Sequence, residues 1–301
     1  MIAAAAPPAL WRAFFRSPKA MVSAAGALLL IGAAFLAPIT APHEPFTLGT
    51  FNLMDSELPP AFMAGGDPRF LLGTDMQGRD VFSAILYGMR ISLTVGFLAV
   101  TISAAVGTLI GLVAGYRGGL LDAVLMRLAD VILSFPTILI ALLIAGIARA
   151  ALPQAAAGEA AIAVLVFAIA INEWTQYART VRGQTMVEAR LDYVKAARVT
   201  GVADGTILRR HVLPNVVSPV IVIATINLAL AILAEATLSF LGVGMPPTSP
   251  SLGTLIRIGN ENLFSGVWWV VVFPAAALVL LVLCVNLFGD WLRDALNPRL
   301  N

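Results

Sequence analysis

The chain has 301 residues, of which 59% are hydrophobic and 12% are charged, and its mean hydropathy is +0.90. Soluble domains carry about 25% charged residues, so this composition excludes a soluble globular enzyme, a disordered chain and a nucleic-acid-binding domain. The net charge of +2 is too small to indicate a polyanionic partner, and a single cysteine excludes a disulfide framework or a cysteine zinc site. We therefore interpret the chain as a polytopic membrane protein embedded in a lipid bilayer.

Long apolar runs with few or no charges predict the membrane-crossing helices. A spanning helix needs about 20 mainly apolar residues, and the fourth of six such segments is the weakest because Glu173 interrupts it. The alternation of a β-barrel is absent, so the predicted fold class is all-α. The six predicted spans are 20–40, 91–115, 131–149, 160–178, 216–241 and 267–289.

Lysine and arginine are concentrated in alternate segments between these spans. With the N-terminus inside, the cytoplasmic segments hold fourteen basic residues and the outer segments hold five. The positive-inside rule and an even number of spans then predict that both termini are cytoplasmic. The predicted organisation is a cytoplasmic segment 1–19, a first helix 20–40, an outer loop 41–90, a core 91–292 with a cytoplasmic loop 179–215, and a cytoplasmic tail 293–301.

The first apolar run has a second interpretation as a cleaved signal peptide. Basic residues precede it and small residues follow it, as in such peptides. Its uncharged stretch of 23 residues exceeds the apolar core of about 7–15 residues that signal peptides have. The length favours a retained span.

The outer loop 41–90 ends in a short polar motif. Asp80 is placed to cap a helix that starts at Val81, and we expect this helix to lie on the outer membrane surface before the chain turns into the second span. Two interpretations remain open for Asp75, Arg79 and Asp80. They dock an extracytoplasmic partner, or they pair with and cap one another.

The cytoplasmic loop 179–215 carries seven basic and three acidic residues. Its pattern predicts two short helices capped by Asp192 and Asp204, with Gly201 in a left-handed conformation between them. Pro214 is expected to prevent the second helix from continuing smoothly into the fifth span. The loop is either a basic segment that rests on anionic lipid or a docking surface for a protein.

The residues of this loop resemble the EAA signature of ABC-importer permeases. In that family the loop forms the coupling helix, which enters a cleft on a cytoplasmic ATPase. The chain departs from the pattern at Lys195, where Glu is common, and at His211, which occupies the usual Ile position. The coupling residues that the resemblance implies are Lys195, Ala196, Ala197, Gly201, His211, Leu213 and Pro214.

Further stretches resemble the dipeptide/oligopeptide/nickel permeases, in particular the subunit with a long first outer loop. The resemblance implies a type I ABC importer permease fold in the bacterial inner membrane. It also implies four partners: a second permease in a heterodimer, two cytoplasmic ATPase subunits and an extracytoplasmic substrate-binding protein. The stretches are 72–80, 115–119, 133–136, 210–215, 235–242 and 293–299, within a match that runs from about residue 11 to residue 299.

The chain itself is not expected to be an enzyme. It has no G-x-x-x-x-G-K-[ST] phosphate loop, so ATP and Mg²⁺ are expected in the partner ATPase subunits and no cofactor is expected in this chain. Peptides are the favoured substrate class, while nickel, opines and short sugars remain open. His43 and His211 are predicted on opposite sides of the membrane, so no metal site is predicted.

Three glycines in the second span, Gly107, Gly111 and Gly115, form two overlapping G-x-x-x-G repeats. Glycines four residues apart share a helix face and allow another helix to approach closely. We interpret them as a packing seam, which faces either the second permease or another span of this chain.

Acidic residues inside the spans are the remaining candidates for function, because they are costly in lipid. Glu173 is interpreted as an interfacial acid near the inner end of the fourth span. Glu235 is predicted near the outer mouth with Asn227 and Ser239. These three residues line the translocation path or a gate, or they hold the helix end by hydrogen bonds; the structural role is favoured for Glu235.

Two other classes of membrane protein remain as alternatives to the importer permease. A stand-alone secondary transporter or channel would need intramembrane ionisable groups, and many secondary transporters contain an inverted repeat. An integral-membrane enzyme such as a lipid hydrolase would need a polar catalytic cluster, and the sequence shows none.

Overall fold

The computed structural model describes residues 13–47, 52–151 and 154–296, and these are nearly all helical. Five helices are long and apolar enough to cross a membrane, and the number is six if a sharply bent pair counts as one span. Parts of the predicted terminal segments 1–19 and 293–301 lie outside the described residues. The helices are α1 (Pro18–Phe35), α2 (Ala37–Thr40), α3 (Val81–Arg117), α4 (Gly119–Leu133), α5 (Thr137–Ala151), α6 (Gln154–Glu188), α7 (Asp192–Val199), α8 (Asp204–Ile207), α9 (Leu213–Phe240), α10 (Leu252–Glu261) and α11 (Trp269–Leu296).

The predicted third span, 131–149, is not one helix. The chain bends by 88° between α4 and α5. Pro136 lies at the break, where it lacks an N–H for the helical ladder and disfavours helical geometry in the preceding residue. Helix α5 rises only about 22 Å, which is less than the hydrocarbon core of about 30 Å.

Helix α3 is continuous from Val81 to Arg117, so the expected surface helix with a turn before the second span is wrong. Asp80 does cap α3, accepting hydrogen bonds from the N–H groups of Phe82 at 3.3 Å and Ser83 at 3.0 Å. Gly88 lies near this point but does not break the helix, which extends about 55 Å from the outer loop to Arg117.

Helix α6 is also longer than the predicted span 160–178, and it continues to Glu188. The predicted span ends directly before two arginines, and both are neutralised by carboxylates on α4. Arg179 pairs with Asp130, and Arg182 pairs with Asp122. Glu173 therefore lies about half-way along α6 and not near the end of a helix.

Helices α3 and α6 form the central packing pair. Carbon atoms added to Gly107, Gly111 and Gly115 would lie 2.4–2.7 Å from backbone oxygens of α6. The contacted residues of α6 advance in the same direction as the glycines, so the two helices run parallel. The glycine stripe thus packs within this chain, and the Trp174 and Tyr177 side chains are buried at this seam.

The loop before α9 differs from prediction at its caps. Asp192 and Asp204 are the first helical residues, and neither caps its helix through its side chain. Gly201 has the expected positive φ of 78°. The chain does not break at Pro214, because a π-helical turn at Leu208–Val212 leaves room for the proline ring and leads directly into α9.

Two apolar clusters hold the remaining helices together. One joins α1, α3, α9, α10 and α11, with Leu93, Ile232 and Leu281 completely buried. The other joins α3, α5, α6 and α9 around Leu165 and Ile169. Many large apolar side chains elsewhere on the helices are exposed, as expected for surfaces that face lipid or other membrane subunits.

Candidate translocation and coupling sites

Residues 192–214, here called the hairpin, pack onto the ends of α3 and α6. Val194, Ile207 and Val212 are completely buried in a cluster with Leu112 of α3 and Val181 of α6. The Gly201 turn returns the chain so that both short helices share this cluster. The hairpin is therefore a folded extension of the two central helices.

A polar network connects the hairpin to the end of α6. The Glu188 carboxylate is 7% exposed and accepts hydrogen bonds from the Tyr193 hydroxyl and from Asn215 Nδ2, the latter at 3.2 Å. Asn215 Nδ2 also lies 3.0 Å from the carbonyl oxygen of His211. Burial and the hydrogen bond to Glu188 raise the pKa of Tyr193 to about 12.

A second contact connects the hairpin to α3. The Tyr116 hydroxyl donates to Asp204 Oδ1 at 2.5 Å and accepts from Arg198 Nε at 3.2 Å. The Arg198 guanidinium also lies 4.7 Å from the centre of the Tyr116 ring, within the range of a cation–π interaction. The last turn of α3 therefore contacts both helices of the hairpin.

Three of the seven predicted coupling residues lie on the outer face of the hairpin. Lys195, Ala196 and Gly201 are exposed, and Lys195 pairs with Asp192 at 3.1 Å. Val199 is 88% exposed on the same face. The remaining coupling residues lie at the base: Ala197, His211 and Leu213 are half-buried and Pro214 is exposed.

A cavity of about 630 Å³ lies between the α4–α5 bend, α6 and α9. Its volume is within the range of about 300–1,000 Å³ typical of small-molecule sites. Helix α6 supplies most of the polar lining, and α9 and the bend supply most of the apolar lining. The polar residues from α6 are Asn172, Glu173, Thr175, Gln176, Arg179 and Thr180.

The structure separates Asn227 from Glu235 and Ser239, the other two residues predicted for a path or gate. Asn227 lines the cavity and donates to Gln176 Oε1 at 3.1 Å. Glu235 is completely buried away from the cavity, and its carboxylate accepts hydrogen bonds from Ser92 and Ser239, each at 2.6 Å. The Ser92 hydroxyl also accepts a hydrogen bond from the N–H of Leu252. Glu235 thus connects α3, α9 and the start of α10.

The outer-loop residues proposed for partner docking are buried. Asp75 and Arg79 form an ion pair at 2.7 Å, and Arg79 also donates to the carbonyl oxygen of Pro247. Asp80 caps α3, and its Oδ2 atom accepts a hydrogen bond from the Ser83 hydroxyl at 2.5 Å. Of the two interpretations, pairing and capping within the loop is the one that fits this burial; a docking surface is not available on these side chains.

Sequence reasoning missed the polar residues that join the hairpin to the central helices. Glu188, Tyr193 and Tyr116 lie in separate segments, and no local spacing marks them as partners. In residues 13–47, 52–151 and 154–296, no group of three His, Cys, Asp or Glu residues is placed to hold a metal ion.

The sequence matches two family models. Residues 107–301 match the binding-protein-dependent transport system inner membrane component, and residues 9–60 match the N-terminal transmembrane domain of oligopeptide transport permease C. The chain belongs to this family of inner-membrane transport components. It is therefore a multi-pass inner-membrane permease, which favours the importer over the two alternative classes.

Several curated relatives are similar over almost their whole length. The dipeptide transport system permease protein DppC of Haemophilus influenzae is 38% identical, over 96% of this chain and 94% of the relative. The di/tripeptide permease DppC of Pseudomonas aeruginosa is 38% identical, covering 96% and 91%. The glutathione permease GsiD of Pectobacterium atrosepticum is 37% identical, covering 96% and 90%.

Solved structures of other transporters share the fold of this permease. An inward-facing MetNI methionine ABC transporter chain superposes with a TM-score of 0.55 at 18% identity, over 71% of this chain and 96% of that one. An amino acid ABC transporter chain gives a TM-score of 0.51 at 20% identity, over 69% and 92%. The architecture is that of a type I ABC importer permease.

Proposed function

We propose that the chain is one permease of a heterodimeric, ATP-driven importer of short peptides. Two permeases would form the membrane channel, two cytoplasmic ATPase subunits would supply the energy, and an extracytoplasmic binding protein would deliver substrate. The names of the relatives support this substrate class, because dipeptides, tripeptides and glutathione all contain amino acids joined by amide bonds.

The observation that carries the coupling proposal is the construction of the hairpin. Its inner face is tied to α3 through Tyr116 and to α6 through Glu188, while Val199 on its outer face remains exposed. A displacement of the hairpin by a partner would therefore be transmitted to the central helix pair. This arrangement supports a hairpin that docks on an ATPase subunit. We place this docking on the cytoplasmic side together with both chain termini, on the basis of the positive-inside rule.

In the proposed cycle, ATP and Mg²⁺ are bound by the partner ATPase subunits, since this sequence has no phosphate-binding loop. Closure of those subunits moves the hairpin and the attached ends of α3 and α6. The helices then rock between inward-open and outward-open states, which is alternating access by rigid-body movement. Peptide enters from the binding protein and leaves toward the cytoplasm.

A pair of glycine substitutions in the hairpin tests this coupling. Gly201 requires a positive φ, so Gly201→Glu adds a charge and also strains the turn. We expect loss of ATPase co-purification and of uptake while membrane insertion persists. Gly205 has open space around it and lacks the positive φ, so Gly205→Glu should cause a smaller loss. Normal uptake by Gly201→Glu would refute the coupling role.

The substrate class is tested through the partner that delivers it. We expect the cognate binding protein to retain short peptides through purification and to support their ATP-dependent uptake by the reconstituted transporter. A binding protein that carries only a metal ion or a sugar would overturn the peptide proposal and leave the permease assignment intact.

A further inference from the structure

The cavity beside α6 has an uneven distribution of charge. Two of its lining side chains are ionisable, Glu173 and Arg179. Arg179 is already neutralised, because its Nη2 lies 2.5 Å from Asp130 Oδ1 on α4. Glu173 has no such partner within the described residues. The lining therefore presents one uncompensated acidic group among neutral amides, hydroxyls and apolar side chains.

Burial of part of the Glu173 carboxylate without a hydrogen-bond partner adds a free-energy cost. Its Oε2 atom is shielded from solvent and accepts no hydrogen bond from the described residues. The neighbouring Asn172 Nδ2 atom is likewise buried without an acceptor. Buried polar groups without partners are expensive, and ionisable groups at this depth of a membrane helix commonly mark a transport pathway. Glu173 is half-buried as a residue and lines the cavity, so a rotation of its side chain would bring the carboxylate into contact with a ligand that completes its hydrogen bonding.

The rest of the lining restricts what that ligand can be. The Asn227–Gln176 pair has further amide donors and acceptors, and the Thr180 hydroxyl, which donates to the carbonyl oxygen of Gln176, can still accept a hydrogen bond. These neutral groups match the amide groups of a peptide backbone. The apolar wall from α9 can contact side chains without selecting among them. A cavity of about 630 Å³ has room for a ligand of the size of a short peptide.

We infer that Glu173 receives the N-terminal ammonium group of a peptide as it passes through the cavity. This inference rests on the proposed function in peptide import and names the group of the substrate that the permease recognises. Every peptide with a free amino terminus carries this cation, whatever its side chains are. A carboxylate at one point therefore recognises the class of substrate without selecting a sequence.

The test uses the assembled transporter in detergent, prepared without its binding protein so that the selectivity of that protein does not contribute. Thr237 is half-buried in the cavity lining, and Thr237→Cys with Cys284→Ala provides a thiol for maleimide labelling there. Dialanine is the probe and N-acetyl-dialanine, which lacks the cation, is its matched control. Thr206→Cys on the exposed face of the hairpin reports labelling outside the cavity.

We expect dialanine to slow labelling of Thr237→Cys and N-acetyl-dialanine to have little effect, with Thr206→Cys unaffected by either. Adding Glu173→Gln should raise the dialanine concentration needed for half-protection about tenfold, which corresponds to loss of one charged hydrogen bond. Glu261→Gln makes the same change at an exposed carboxylate paired with Arg257 and should leave protection unchanged.

Three results would overturn the inference while leaving peptide import intact. Equal protection by dialanine and N-acetyl-dialanine would show that the cation is not recognised, and this comparison needs no change at Glu173. Protection that is unchanged in Glu173→Gln would remove this residue from the site. Failure of Glu173→Gln to assemble with the second permease would assign the carboxylate to the subunit interface. If the unmodified transporter imports no peptide at all, the proposed function itself fails.

Discussion

The Tyr193 hydroxyl donates a hydrogen bond to the buried carboxylate of Glu188, across the junction between the hairpin and helix α6. Glu188 is the last residue of α6 and Tyr193 is the second residue of α7. Asn215, at the start of α9, donates to the same carboxylate. Three helices thus meet at one acceptor, where a movement of the hairpin would reach the membrane helices.

Tyr193→Phe removes the hydroxyl and keeps the ring. We expect uptake per ATP hydrolysed to fall several-fold, because Glu188 loses a donor and the hairpin is held less firmly. The pair of measurements is peptide uptake and ATPase rate in the same proteoliposomes. Tyr87→Phe, at a half-buried tyrosine near the outer end of α3, is the control. Equal coupling in both variants would show that the hydroxyl is dispensable.

The raised pKa of Tyr193 also predicts how pH affects this contact. A raised pKa means that the protonated, donating form is favoured in the folded protein. The stabilisation that the protonated Tyr193 hydroxyl supplies is complete below the ordinary tyrosine pKa of about 10. This stabilisation is lost as the pH rises through about 12. Between about pH 6 and 9, uptake per ATP hydrolysed should therefore depend on pH in the same way in Tyr193→Phe as in the unmodified protein.

Gly111→Ala should destabilise the central helix pair. The added carbon would lie 2.5 Å from the carbonyl oxygen of Ala178 and 2.8 Å from Cβ of Val181, so α3 and α6 must separate. We expect a loss of about 1–3 kcal/mol in the free energy of unfolding, measured by thermal unfolding in detergent. Gly146→Ala on α5, where nothing lies within 4 Å, should be neutral or slightly stabilising. A neutral Gly111→Ala would contradict the close seam.

Glu235→Ala should reduce stability more than Glu235→Gln. Alanine leaves the hydroxyls of Ser92 and Ser239 without their acceptor in a buried site, at a cost of about 1.5–3 kcal/mol. Glutamine keeps one oxygen acceptor, and the serine hydroxyls can rotate to suit its amide. The comparison is the thermal stability of both variants and their uptake per folded transporter. Lost uptake with unchanged stability would instead place Glu235 in the transport pathway.

Asp80→Ala should loosen the start of α3. The carboxylate caps the helix through Phe82 and Ser83, and loss of such a cap costs about 0.5–2 kcal/mol. We expect faster hydrogen exchange in the first turns of α3. Asp67→Ala removes an outer-loop carboxylate whose pKa is lowered by its hydrogen bonds to Arg69, and exchange in α3 should not change. Equal exchange in both variants would contradict the capping role.

Local chemistry was enough to predict the membrane class, the all-α fold and most of the spans. Uncharged runs of about 20 residues have few alternatives to a membrane helix, and the glycine repeat of α3 identified a packing face from its spacing alone. The Gly201 turn of the hairpin was predictable because the glycine and its flanking residues are close in sequence. Each of these signals is contained within a few helical turns.

Contacts between distant segments decided the rest. The charges of Arg179 and Arg182 predicted that the fourth span ends before them. In the structure they pair with Asp130 and Asp122 on α4, and α6 continues to Glu188. The sequence placed Glu173 at the membrane–water interface, and the packing of α6 against α9 and the α4–α5 bend places it in the wall of a cavity. Whether a polar residue is buried, paired or free depends on which helices pack against it, and this packing joins residues that are far apart along the chain.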